Sequence, residues 1–212
     1  PAEDLYRAIM EGTDGTARAD IARTVADNAQ ATIDWMREEG GEFLQHPRRT
    51  WGMPMMAPGR AMRAGLDWEN SGPHLFLQAL GEKLAARGGA LRRGARVSGL
   101  LTEEGAVTGV MLEDGERISA KAVVIADGGF QADRELIGEH ITADPAKIRQ
   151  RNTETGRGDG LRMASDTGAA LVGLDKFYGH VLSRDALTNE NLWPYPQLDV
   201  ICAKGMVVTT DG

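Results

Sequence analysis

Cysteine is almost missing from this chain: Cys202 is the only one in 212 residues. No intrachain disulfide can form, which fits a reducing, cytoplasmic setting. His46, His74 and His140 show no metal-ligand spacing, and Cys202 has no cysteine or histidine near it in sequence. Cys202 reads as a small buried residue. No run approaches the roughly 18 apolar residues that a membrane-spanning helix needs. The opening PAEDLYRAIMEG carries acids where a secretion signal would carry basic residues and an apolar core. No Ser-His-Asp order or nucleophile elbow occurs. No G-x-G-x-x-G follows an N-terminal strand, so the usual phosphate-cradling loop is not in this stretch. Positive charge is also in deficit. The 24 basic residues face 31 acids, a net charge of −7, which disfavours nucleic acid as the main partner. The pairs Arg48–Arg49 and Arg92–Arg93 read as solvated surface.

Glycine is plentiful, at 27 residues, and falls in turns rather than in a repeat. Residues 2–10 read as a helix stopped by Gly12. Residues 20–38 read as a longer one, with Ile21, Val25, Ala29, Thr32, Ile33 and Met36 on one stripe and Gly40–Gly41 at its end. Residues 43–70 read as an irregular connection holding Trp51, Met53, Met55, Met56 and Trp68. Such segments are either binding loops or cover for a core. Ser71 is a candidate cap for a helix with Pro73 in its first turn. Phe76, Leu80 and Leu84 form that helix's expected buried stripe, and Gly88–Gly89 close it.

Four short strands are expected next, at residues 95–102, 106–112, 116–118 and 122–126. Asp114-Gly115 is a hairpin signal between two of them. Residues 133–139 and 160–167 read as helices, and 169–174 and 205–208 as strands. The apolar run at 200–203 lies between. Two stretches carry the chemistry. AKAVVIADGGF at 120–130 drives an apolar strand into a Gly-Gly turn. TGRGDG at 155–160 opens a helix with one carboxylate, Asp159, between glycines.

Together with GPHLFLQALGEKLAARGGALRRGARVSGL at 72–100 and the continuation to YGH at 178–180, these stretches resemble the flavoprotein subunits of fumarate reductase and succinate dehydrogenase. The resemblance extends to their soluble relatives, the tricarballylate and ketosteroid dehydrogenases. It runs from about Glu3 to Gly212, and the YGH form is closest to the tricarballylate branch. It implies an α/β fold: part of an FAD-binding dinucleotide-fold domain with an inserted small antiparallel sheet, without the N-terminal phosphate-binding βαβ unit. Residues 1–180 would be the middle of that domain. Residues 181–212 would begin the substrate-capping region or its connection. The turn signal Asp211-Gly212 at the end reads as a cut.

The resemblance assigns FAD contacts to the Val97 backbone, to Ala126, Asp127, Gly128 and Gly129, and to Asp159. Asp127 stands where the family has threonine, and a carboxylate there would suit a ribose better than a diphosphate. His180 matches the histidine that lines the dicarboxylate pocket. Val181 replaces the proline that follows it in the family. A Ser/Thr-Glu pair expected a dozen residues on gives way to Leu192-Trp193, with Asn189, Glu190 and Asn191 nearby. The family's proton-shuttling arginine would lie beyond Gly212, so no catalytic residue is assigned.

The expected activity is that of an FAD-dependent oxidoreductase forming or reducing a C=C bond in a small di- or tricarboxylate, with an unidentified electron acceptor. This piece alone is expected to be inactive and free of FAD. A ketosteroid dehydrogenase using the Trp51–Trp68 loop as an apolar pocket is the alternative. A non-catalytic folded domain or binding module is another.

Overall fold

Helical periodicity in the first forty residues becomes two helices, α1 (Ala2–Gly12) and α2 (Ala19–Glu38). They belong to a computed structural model that describes residues 1–45, 54–59, 68–150, 154–192 and 197–208. The chain forms two compact units. The first runs to Leu91 apart from residues 63–66, and the second holds the remainder.

In the first unit, Arg23 joins α1 to α2. Its guanidinium sits 3.8 Å from the centre of the Tyr6 ring and donates to Glu3 at 2.8 Å. The buried line of α2 is rotated from the expected stripe. Ala22 and Ala26 are buried, whereas Ile21 and Val25 are about half exposed. The 3.6-residue period is right but its phase is set by two alanines, because no described part of this unit covers the larger side chains.

The connection at 43–70 is less irregular than expected. β1 (Phe43–Gln45) and β2 (Pro54–Met56) pair antiparallel, with Leu44 opposite Met55. Trp51 and Met53 lie outside the described residues, as does His46. Helix α3 (Gly72–Ala86) carries a proline in its first turn. Ser71 occupies the cap position, but its hydroxyl donates to the Trp68 carbonyl at 2.6 Å instead of accepting from the helix. Phe76 is buried, while Leu84 is 44% exposed, so the expected stripe holds only over the first turns. Lys83 donates to the Glu39 carboxylate at 2.7 Å and to its carbonyl at 3.0 Å, tying α3 to the end of α2. This pair holds the Glu39 carboxyl below its ordinary range, the Lys83 hydrogen bond being the main cause.

The second unit opens with a three-stranded antiparallel sheet: β3 (Val97–Glu103), β4 (Ala106–Leu112) and β5 (Arg117–Ser119), in that order. Asp114-Gly115 lies in the β4–β5 turn, as its sequence signals, and Asp114 Oδ1 accepts from the Glu116 amide at 3.0 Å. Helices α4 (Arg134–His140), α5 (Asp159–Asp166) and α6 (Asp199–Lys204) follow, with short 3₁₀ turns at Pro145–Lys147 and Arg184–Leu187.

Three expected strands do not form. Residues 122–126, 169–174 and 205–208 have no ladder among the described residues. Their apolar side chains stand in the open, with Val124 at 88%, Val172 at 75% and Met206 at 89% exposure. Composition reports that a segment suits a sheet, but a strand exists only where a neighbour takes its backbone hydrogen bonds. The apolar run at 200–203 belongs to α6 instead, and Cys202 is half-buried rather than buried.

Candidate functional site

The two glycine-bearing turns of the second unit close on each other. The Ala132 amide donates to the Gly156 carbonyl at 2.9 Å, and the Gly158 amide to the Gly129 carbonyl at 3.2 Å. A third bond comes from a side chain: Asp127 Oδ2 accepts from the Gly160 amide at 2.7 Å. Gly160 is the second residue of α5, whose first amides have no partner within the helix. Asp127 therefore caps α5 from 33 positions away in sequence. Its opposite charge also suits the positive end of the helix. A side chain at 160 would force its neighbours to shift, since a Cβ would stand 2.3 Å from both Asp127 Oδ1 and Ile125 Cγ2. Gly158, the α5 cap residue, has φ +72°, a left-handed conformation that glycine adopts without strain.

Charge holds the same turns from outside. Arg96, the residue before β3, reaches Asp159 with contacts of 3.0–3.2 Å. The start of β3 at Val97 is thereby brought close to Asp159. Arg162 on α5 pairs with Asp133 and donates to the Arg157 carbonyl at 2.7 Å. Asp133 caps α4 through the amides of Glu135 at 3.0 Å and Leu136 at 2.9 Å. The Leu136 amide, and then Arg162, hold its carboxyl below the usual carboxylate range.

Gly129 and Phe130 also form one edge of a cleft of about 720 Å³. Phe130, Ile137, Ile141 and Ile148 give it an apolar side. Lys147, Arg149, Lys176, His180 and Arg184 also line it, and among the described residues no carboxylate does. Four of these bases face a carboxylate: Lys147 with Asp144, Lys176 with Asp175, Arg149 with Glu190, and His180 with Asp199. Arg184 is in no ion pair among the described residues. Gln150 contributes a buried side-chain oxygen with no hydrogen-bond partner among the described residues. His140 packs edge-on against Phe130 at 6.0 Å, and His74 accepts from the Asn70 amide at 3.0 Å, so both have structural contacts.

His180 is anchored rather than loose. Its Nδ1 is 3.1 Å from Asp199 Oδ2, and its Nε2 is 3.2 Å from the Tyr178 hydroxyl. Asp199 Oδ1 accepts from the Val181 amide at 3.1 Å. That amide, with His180 as a lesser cause, keeps the Asp199 carboxyl below its ordinary range. Sequence reasoning did not single out Asp199, Tyr178, Arg149 or Arg96. For Tyr178 the i, i+2 spacing to His180 was a usable signal, but the other three depend on contacts that no local pattern announces. Leu192 ends a described segment, and Trp193 lies outside the described residues. Glu190 serves as the partner of Arg149.

A glycine turn closed over a helix start, with a cationic cleft against its edge, has the form of a small-molecule site. The chain belongs to the FAD binding domain family, whose profile matches residues 2–192. It is 34% identical over 73% of its length to 4-oxocyclohexanecarboxylate 2-dehydrogenase of Sinomonas cyclohexanicum, covering 26% of that protein. It is 27% identical over 79% of its length to NADH:acrylate oxidoreductase of Vibrio harveyi, covering 17% of it. Among solved structures it matches the open conformation of a flavocytochrome c3 fumarate reductase with a TM-score of 0.66. That match has 22% identity and covers 80% of this chain and 30% of the other. The chain thus spans about a quarter or less of the length of these two relatives.

The turn suits the cofactor of this family. Gly128 has nothing within 4 Å of where a Cβ would stand, so the outer face of the turn is open to a ligand's close approach. No helix among the described residues is long and apolar enough to cross a membrane. Among the same residues, no cluster of three His, Cys, Asp or Glu side chains could hold a metal ion.

Proposed function

We propose that this chain forms part of an FAD-dependent oxidoreductase that introduces or removes a C=C bond next to a carboxylate or carbonyl group of a small acid. The cleft carries this reading. Its lining brings Lys147, Arg149, Lys176 and Arg184 together, Arg184 being in no ion pair among the described residues, and it shares Gly129 with the turn assigned to FAD. An anionic substrate would gain charge-assisted hydrogen bonds there, and Arg184, in no ion pair among the described residues, is the group placed to form one. The substrates for which the two relatives are named, a cyclohexanecarboxylate and acrylate, are both carboxylates. A di- or tricarboxylate of the fumarate or tricarballylate type fits the same chemistry.

In this reading the Val97 backbone and the 126–129 turn hold the adenine-nucleotide part of FAD. Asp159, steadied by Arg96, contributes one carboxylate. Asp127 braces the turn from within: Oδ2 accepts from the Gly160 amide and Oδ1 packs against Gly160. Bound FAD supplies hydride chemistry. The chain's own residues orient the acid: Arg184 holds a carboxylate, His180 sits in the wall beside it, and Phe130 with the isoleucines excludes water. Residues 181–212 begin the part that covers the substrate, and the enzyme works in the cytoplasm.

A second reading has one specific support. The relative at 34% identity acts on a ring bearing a ketone as well as a carboxylate. The apolar side of the cleft suits such a ring.

The test uses the intact flavin-loaded enzyme against succinate, fumarate, tricarballylate, acrylate and 4-oxocyclohexanecarboxylate. Bleaching or reoxidation of the flavin near 450 nm is followed. Arg184→Gln should lower kcat/KM for the active acid by roughly 2 kcal/mol, about thirtyfold, with normal flavin content. No response to any of these acids ends the carboxylate reading.

A further inference from the structure

Both ring nitrogens of His180 are already engaged, and this changes which group meets a substrate. Asp199 is an acceptor only, so the nitrogen facing it, Nδ1, carries the hydrogen at 3.1 Å. A neutral His180 then has a lone pair at Nε2, pointing to the Tyr178 hydroxyl 3.2 Å away. The phenol is the donor in that contact. The imidazole has no hydrogen left to give a carboxylate. The Tyr178 side lies open: the residue is 81% exposed and lines the cleft beside His180. Its ring meets the imidazole edge-on, with centroids 5.4 Å apart, which fixes its direction. Asp199 is fixed in turn by the Val181 amide, and the bridge between Leu182 and Gln197 joins the two segments that carry this row of groups.

We propose that Tyr178 is the proton-transferring residue of the cleft, with His180 and Asp199 as the positioning residues behind it. This rests on the oxidoreductase reading above and names the group that serves its substrate. The row Tyr178–His180–Asp199 is ordered for a base at the phenol oxygen. A substrate C–H bond next to a carbonyl breaks, and its proton goes to Tyr178 Oη. The phenol's own proton moves to His180 Nε2. The electron pair of the C–H bond stays on the substrate as an enolate. His180 becomes an imidazolium, and its new charge faces Asp199. One proton leaves the substrate and one is gained by His180, so the step balances without an oxidant. The reverse step delivers a proton to an enolate. An orienting carboxylate behind a histidine is a recurring way to fix the tautomer and stabilise the imidazolium.

The step is separable from hydride transfer, and the experiment uses that. The intact enzyme is kept anaerobic with its flavin already reduced, so that no hydride can leave the substrate. 4-Oxocyclohexanecarboxylate is added in D₂O, and the ring protons beside the ketone are followed by proton NMR. Binding is read on the same sample from the perturbed flavin spectrum. Wild-type enzyme should exchange these protons well above the buffer blank. Tyr178→Phe should lose about a hundredfold of that rate while still binding, the scale of a missing general base. His180→Asn should slow exchange less, and Asp199→Asn should shift its pH dependence, with Asp199→Glu restoring part of it. Tyr178→Phe removes one oxygen from an exposed ring, so its fold is not at stake. Binding with wild-type exchange in Tyr178→Phe overturns the assignment and leaves the site reading intact. Binding without exchange in the wild type does the same. Absence of binding by this probe and by the other acids removes the site reading, and the assignment with it.

Discussion

Asp127 and Gly160 are joined by a 2.7 Å hydrogen bond from backbone amide to carboxylate, and the same carboxylate occupies the space a side chain at 160 would need. The two residues fit each other in polarity and in shape. An acid stands where the resemblance led us to expect threonine, and its observed partner is a helix start within the fold.

Asp127→Ala should therefore destabilise the protein by about 1 kcal/mol, as lost helix caps do. Gly160→Ala should cost about 1–3 kcal/mol by overpacking. The double variant should lose less than the sum, because removing Asp127 vacates part of the space that the alanine needs. Denaturant unfolding of the four proteins measures the coupling. Strict additivity would mean that the turn relaxes independently at the two positions.

Asp133 gives a pH signature. Its carboxyl is held below the usual range by the Leu136 amide and Arg162. A lowered folded-state pKa adds stability above the unfolded value, and this is lost as pH falls through the folded one. Asp133→Asn keeps an acceptor for the α4 amides but cannot ionise. Melting temperatures measured from pH 7 down to pH 3 should show wild type ahead at neutral pH, with the gap closing toward the acid end. A gap that stays constant would show that the charge is not what matters.

The β4–β5 turn should be indifferent to function. Replacing Asp114 by Asn keeps an oxygen for the Glu116 amide and retains a good turn pair with Gly115. kcat/KM of the intact enzyme should stay within about twofold, since surface changes of this kind move free energies by only a few tenths of a kcal/mol. A hundredfold loss without unfolding would place the sheet at a substrate or partner.

Asp159 separates cofactor binding from folding. Its ion pair with Arg96 is half exposed and is worth at most about 1 kcal/mol. Asp159→Ala should leave the melting temperature of the flavin-free protein almost unchanged. Affinity for FAD should fall by about tenfold or more if the carboxylate bonds the cofactor. Unaltered flavin retention would show that Asp159 serves only its arginine partners, Arg96 and Arg162.

The parts of this molecule that were legible in its sequence are those set by near neighbours. Glycines beside Asp127 and Asp159 announced two turns, and helical spacing announced α2, α3, α4 and α5. Longer reach was illegible. Arg96 meets Asp159 across 63 positions, and Asp199 meets His180 across 19. No periodicity encodes such pairings, because they follow from how the elements fold back. The phase of α2 failed for a related reason: its buried line is fixed by what lies against it, not by which residues are most apolar. The apolar segments at 122–126 and 169–174 have strand composition, yet a ladder needs a second chain segment.

Those open segments bear on handling as well as on architecture. Val124, Val172 and the run of Met206, Val207 and Val208 are at least 62% exposed. Short β-prone stretches with free backbone groups are templates for pairing with any similar stretch that diffuses by. In a concentrated preparation of these 212 residues, copies would find one another through these segments. Masking these segments would therefore lower self-association as well as complete their hydrogen bonding.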